Sequence, residues 1–148
     1  MSKLLYFFSS FIFLIILACD NEIAPSQVPS IVENTFKHHF PHAMDIEWEI
    51  VDSNYEVSFE VANIDHKALL DSTGTLLKFK YEIDKATVPI SIKSFLEQNY
   101  PQERWDDPEH IKEGISEYFQ LERDGFFNDK KLVIDSMGKE LPNIKYWD

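Results

Sequence analysis

The hydrophobic and polar positions of this chain change period twice, in the same order. Ile31, Val32, Thr35, Phe36, His39 and Phe40 recur at three- and four-residue spacing, the stripe of an amphipathic helix. Ser30, Glu33, Asn34 and Lys37 fall on the other side. Pro29 suits a first helical turn, where a missing N–H costs nothing, and Pro41 pushes Phe40 out of the helical region. The period then drops to two. Ile46, Trp48 and Ile50 alternate with Asp45, Glu47 and Glu49, and Tyr55, Val57, Phe59 and Val61 alternate with Glu56, Ser58 and Glu60. His66 to Asp71 forms a third segment, and Leu77, Phe79, Tyr81 and Ile83 alternate with Lys78, Lys80 and Glu82 in a fourth. Turns fall at Asp52-Ser53-Asn54, Asn63-Ile64-Asp65 and Ser72-Thr73-Gly74. Clean alternation predicts antiparallel strands with one buried face and one wet face, joined by hairpin-length loops.

The order returns sixty residues on. Val88-Pro89 answers Val28-Pro29, and Tyr100-Pro101 answers Phe40-Pro41. Ile92, Phe95, Leu96 and Tyr100 share one helical face. Arg104 to Pro108 reads as an irregular polar loop, His110 to Lys112 as a weak strand and Ile115 to Glu122 as a better one. Phe126, Phe127 and Leu132 to Ile134 give an interrupted strand, and Leu141 to Trp147 a last one, with Pro142 marking an edge or bulge. Asp71-Ser72-Thr73-Gly74 and Asp135-Ser136-Met137-Gly138 match as D-S-x-G. The expected fold class is α+β: a tandem duplication of a helix followed by a four-stranded antiparallel sheet, with the helices packed on one sheet face. The units are expected at residues 28–84 and 85–148, forming one globular domain over 28–148.

Residues 1–18 stand apart. Lys3 is the only charge, and Leu4 to Ala18 is almost wholly apolar, the layout of an export signal. The run is short for a membrane span, which needs about 20 apolar residues. Ile16-Leu17-Ala18-Cys19 resembles the lipobox of bacterial lipoproteins. That resemblance implies a lipidated Cys19, a tether over 19–27 and a membrane anchor. It places the chain in the envelope of a Gram-negative bacterium, at the periplasmic face or the cell surface. With one cysteine, an intramolecular disulfide and a cysteine metal cluster are both excluded.

The helix and sheet residues resemble a second family, the PepSY-like, β-lactamase-inhibitor-protein-like secreted proteins of bacterial envelopes. The likeness rests on V-P and F-P around the helix, on Trp48, on Tyr55-x-Val57-x-Phe59 and on the D-x-x-G turn. It covers residues 28–148 and implies helix-plus-sheet units without established catalytic residues, with protein binding or inhibition as the suggested role.

Charge narrows the partners. The 148-residue chain has a formal net charge of −12, which argues against nucleic acid and against adsorption to anionic lipid. No nucleophile elbow, Walker loop or dinucleotide fingerprint is present, so no enzymatic activity and no cofactor are expected. His38, His39 and His42 near Asp45 are the candidate metal ligands, although Pro41 breaks the helical geometry between them. Asp124-Gly125 with Asn128-Asp129 matches a calcium loop poorly. Trp105, Tyr146 and Trp147 lie where the pattern does not bury them and are the candidate contact residues. The expected function is a non-catalytic envelope lipoprotein that binds a protein or peptide partner through the wet face or these aromatics. The alternative is a small-ligand or metal sensor or carrier at the histidine segment.

Overall fold

The computed structural model describes residues 22–123 and 130–148. Its elements are β1 (Glu22–Ile23), a 3-10 turn (Pro25–Gln27), α1 (Ser30–His39), β2 (Met44–Val51), β3 (Asn54–Val61), β4 (Ile64–Leu70) and β5 (Leu76–Glu82). After these come α2 (Ile90–Asn99), β6 (Trp105–Glu113), β7 (Ser116–Arg123) and β8 (Lys130–Asp135). The strands form one eight-stranded antiparallel sheet whose spatial order is the chain order. Side chains alternate across it, so one face is built from Trp48, Val57, Phe59, Ala68, Phe79, Phe119 and Leu121. Both helices lie on that face.

Each helix is held by its own apolar cluster. Val32 and Phe36 of α1 are fully enclosed against Trp48, Val57, Phe59, Ala68 and Leu70. The Phe36 ring meets Trp48 at 5.3 Å and Phe59 at 5.0 Å, both edge to face. Ile92 and Leu96 of α2 pack on Phe119, Leu121, Leu132 and Ile134. Each such side chain contributes about 1.5–3 kcal/mol on burial. The Val-Pro pairs explain the entries: Val28 and Val88 are buried beside these clusters while Pro29 and Pro89 sit at the helix starts. At the exits, Phe40 and Tyr100 leave helical geometry, and their N–H groups close back onto the carbonyls of Phe36 and Leu96 at 2.8 Å.

The two D-S-x-G turns pin the other ends of the helices. Asp71 accepts from the N–H groups of Thr73 and Thr75, and Asp135 from those of Met137 and Lys139, all at 2.9 Å. Gly74 and Gly138 hold φ of +85° and +84°, which an L side chain resists. A Cβ on Gly74 would stand 3.0 Å from the Ile31 carbonyl oxygen, and one on Gly138 2.7 Å from that of Ser91.

The expected tandem of helix-plus-four-strand units is corrected by this sheet. Two helices accompany a mostly β structure. β5 pairs directly with β6, so the strands are one sheet, and among the described residues α2 is followed by three strands. Residues 104–108 are not a free loop. β6 starts at Trp105 and stays in the ladder by a bulge between Asp106 and Glu109, where Asp107 takes φ +48° and Pro108 has no N–H to give. Leu141 to Trp147 is not a strand; Pro142 removes a donor, and the isolated bridge just before it joins Ile134 to Glu140. β1, within the expected tether, pairs Glu22 and Ile23 with Glu49 and Trp48. The expected segments at Cys19 and at Phe126-Phe127, and the Asp124–Asp129 loop, lie outside the described residues.

Gly138→Ala is expected to cost about 2–4 kcal/mol, because both strain and a backbone clash arise. Gly74→Ala should cost somewhat less, since its nearest backbone atom stands 3.0 Å away and not 2.7 Å, and the closer Ile31 Cγ1 belongs to an exposed side chain that can turn aside. Gly114, at φ +58° with nothing near its missing Cβ, should cost only about 1 kcal/mol. Urea unfolding of the three variants checks the order.

Candidate functional site

The face opposite the helices is where function is open, and the chain divides it in two. Over one half the tail, residues 141–148, crosses the sheet as a strap. Leu141, Ile144, Tyr146 and Trp147 pack on Ile111, Tyr118 and Val133. Trp147 is 9% exposed. Its indole N–H donates to Glu56 Oε2 at 2.8 Å, and its carbonyl accepts from Lys80 Nζ and Gln120 Nε2, each at 2.7 Å. Its own N–H donates to Gln120 Oε1 at 3.1 Å. Glu109 sits below, 2.9 Å from Lys80 Nζ and hydrogen-bonded by the Gln120 amide.

The expectation of a uniformly wet face is therefore corrected. Glu56 and Lys80 are buried, and Gln120 is fully enclosed. They remain stable there because each polar group has a partner. Burial raises the Tyr146 phenol well above its usual pKa, with further contributions from Glu109, Glu122 and Asp107. Tyr118 is raised for the same first reason, and its hydroxyl donates to Glu113 at 2.9 Å.

The other half of the face is open and acidic. Asp45, Glu47, Glu60, Asp65, Glu82 and Glu109 line a depression of about 410 Å³. Two lysines reach its edge: Lys67 bonds Glu56 at 2.8 Å and the Asp148 carbonyl at 3.0 Å, and Lys80 pairs with Glu109, one of the depression's own carboxylates, and with the Trp147 carbonyl. Six carboxylates against two lysines leave the depression net negative. Glu82 stands directly opposite Glu109 across the β5–β6 ladder. Its pKa is raised, first by desolvation and then by Asp65, Glu109 and Asp107.

The predicted contact aromatics separate. Trp105 starts β6 opposite Arg123, half-buried against the α2 cluster, with Lys85 Nζ 5.3 Å from its ring centroid. Tyr146 is half-buried in the strap with Lys131 Nζ 4.7 Å from its centroid, and Trp147 is the buried anchor described above. His38, His39 and His42 are exposed, and the first two rings meet edge to face at 5.7 Å. Among the described residues no group of three or more His, Cys, Asp or Glu is placed to hold a metal ion. Nor is any helix among them long and apolar enough to cross a membrane. Sequence reasoning missed Gln120. Its one signal was an uncharged amide inside the apolar run Tyr118–Leu121, which demands a buried partner.

Comparison with solved structures places the fold. The chain is similar to a BLIP-like protein from Bacteroides fragilis, at 16% identity and a TM-score of 0.67, over 76% of this chain and 82% of that one. It is similar to a candidate periplasmic protein from Bacteroides eggerthii, at 12% identity and a TM-score of 0.72, over 77% and 86%. A DUF2874 family protein from Bacteroides uniformis gives 14% identity and a TM-score of 0.71, over 76% and 86%. At these identities the likeness is one of fold. No family model matches the chain, and no curated protein sequence matches it.

Glu82 yields a pH prediction. Its folded pKa lies above the ordinary 4.5, so the folded state holds the proton more tightly than the unfolded state. The stability it contributes is present below the unfolded pKa and is lost as pH rises through the folded one. Glu82→Gln is therefore expected to raise Tm at pH 7, by roughly 1–2 °C for so exposed a group, and to change nothing near pH 3. Thermal melts at the two pH values check this.

Proposed function

We propose that this chain is a non-catalytic lipoprotein of the bacterial envelope, anchored through Cys19, that binds a basic protein or peptide through the open acidic half of its sheet face. The observation that carries the reading is the set of six carboxylates around the depression, which outnumber the two lysines at its edge, Lys67 turned to Glu56 and Lys80 to Glu109. A partner's Lys and Arg side chains would offset that negative charge. The export signal, the lipobox and the fold likeness to BLIP-like and candidate periplasmic proteins support the placement. A rigid sheet suits such a role, because its carboxylates are pre-positioned and binding need not order a loop.

Crosslinking on intact cells, followed by mass spectrometry, tests it. The wild type is expected to enrich a basic partner, with binding that weakens steeply as salt rises. The Glu47→Lys, Glu60→Lys double variant should lose roughly tenfold or more in affinity. Equal capture by the wild type and the reversed variant would overturn the reading. Cys19→Ser should move the protein from the membrane fraction to the soluble one, and an unchanged fractionation with no acyl mass would remove the anchor.

A further inference from the structure

The strap is held mainly by side chains of the sheet. It has no ladder to the sheet beyond residue 141, where the Leu141 N–H reaches the Val133 carbonyl at 2.8 Å. Past that point it is fixed by side chains of the sheet that address its backbone and one indole. Gln120 reads both backbone groups of Trp147, accepting from its N–H and donating to its carbonyl. That is the two-point pairing a neighbouring strand would make, delivered by a side-chain amide. Lys80 supplies a second donor to the same carbonyl at 2.7 Å. Glu109 holds both donors in place from beneath. Glu56 takes the indole N–H, and Lys78 Nζ lies 4.2 Å from the indole ring centroid. Lys131 pairs with the Asp148 carboxylate, and Lys67 bonds the Asp148 carbonyl.

Every feature of Trp147-Asp148 is thus read: the peptide unit, the indole N–H, the ring face and the acid that follows. The readers sit on β3, β4, β5, β6, β7 and β8, and their positions are fixed by strand register, not by the strap. We propose that this berth is a peptide-recognition site for an extended segment carrying Trp followed by an acidic residue. The chain's own tail fills it in cis, and the tail yields to such a segment presented by a partner protein. Two observations favour exchange over a permanent clasp. Beyond Leu141 the strap shares no backbone hydrogen bond with the sheet among the described residues, so it lifts without breaking a ladder. Once it lifts, Glu56 loses the indole N–H, and Lys80 and Gln120 lose the Trp147 carbonyl, which favours recapture of an equivalent segment. The berth shares Lys67, Lys80 and Glu109 with the edge of the acidic depression, but its ligand and the variants that test it are different, so its failure leaves the function proposed above standing.

The test uses the full chain and a labelled peptide of the sequence Leu141–Asp148. Trp147→Ala in the protein weakens the cis occupant. That variant is expected to fold and to bind the peptide saturably. The wild type should bind it roughly tenfold or more weakly, since its own tail competes. The same peptide carrying Trp147→Ala should not bind, and Gln120→Met in the Trp147→Ala protein should lose roughly tenfold. In the wild type, the Trp147 amide should exchange its hydrogen roughly a hundredfold faster than the Leu121 amide, reporting local lifting of the strap. The proposal is overturned if Trp147→Ala fails to fold, since a displaceable strap cannot be required for folding. It is equally overturned if the folded variant binds no peptide, if the indole-free peptide binds as well, or if Trp147 and Leu121 exchange together.

Discussion

The β5–β6 ladder is the constraint on which the rest of this structure depends. It joins Lys78 to Glu113, Lys80 to Ile111 and Glu82 to Glu109, across the point where the chain leaves the sheet to build α2. Without it, two helix-covered fragments would each present exposed strand edges, a form prone to mispairing. With it, the sheet has one helix-covered face and one face left over. The same ladder brings Lys80 beside Glu109 and so completes the cradle for Trp147. It also sets Glu82 against Glu109 and so concentrates the negative charge of the open half. Stability and site chemistry come from one register.

The helix-covered face is a packing solution with few degrees of freedom. Each helix is entered by a buried Val before Pro and is pressed at its first turn by a left-handed Gly. On this face a polar group needs a dedicated partner. His110 stacks on Phe119 at 4.6 Å, shares a hydrogen bond with the Tyr81 hydroxyl at 2.8 Å, and has its pKa lowered by burial. The opposite face is less constrained, because helices do not compete for it. There the chain spends its own tail on one half and leaves the other to solvent.

Much of this architecture was legible in the sequence where the signal is local. Helix limits followed from Pro29, Pro41, Pro89 and Pro101, and β2, β3 and β5 followed from strict alternation, whereas β4 begins at Ile64, inside the expected Asn63-Ile64-Asp65 turn. The D-S-x-G matches marked turns that are alike in hydrogen bonding and in glycine φ. What failed was non-local. Nothing within Leu76–Glu82 or Trp105–Glu113 declares that these strands pair with each other, and alternation reads the same in one sheet as in two. β6 was hidden because a bulge at Asp107-Pro108 breaks the period while the ladder continues. The strap was hidden because Leu141, Ile144 and Trp147 are spaced three apart and pack on a sheet face without entering it. The berth's key residue, Gln120, gave only the faint cue of an amide in an apolar run.

Three tryptophans report on the three clusters: Trp48 under α1, Trp105 beside α2 and Trp147 in the strap. The most direct test of a single continuous sheet is urea unfolding of two variants. One keeps Trp48 as its only tryptophan and the other keeps Trp105, with Phe at the remaining positions. A ladder that fuses the halves predicts that, in each variant, the tryptophan signal and far-UV circular dichroism trace the same single transition, with a slope proper to the whole chain. A tryptophan transition displaced from the dichroism, or a slope near half that value, would mean that the halves unfold independently and would contradict the account.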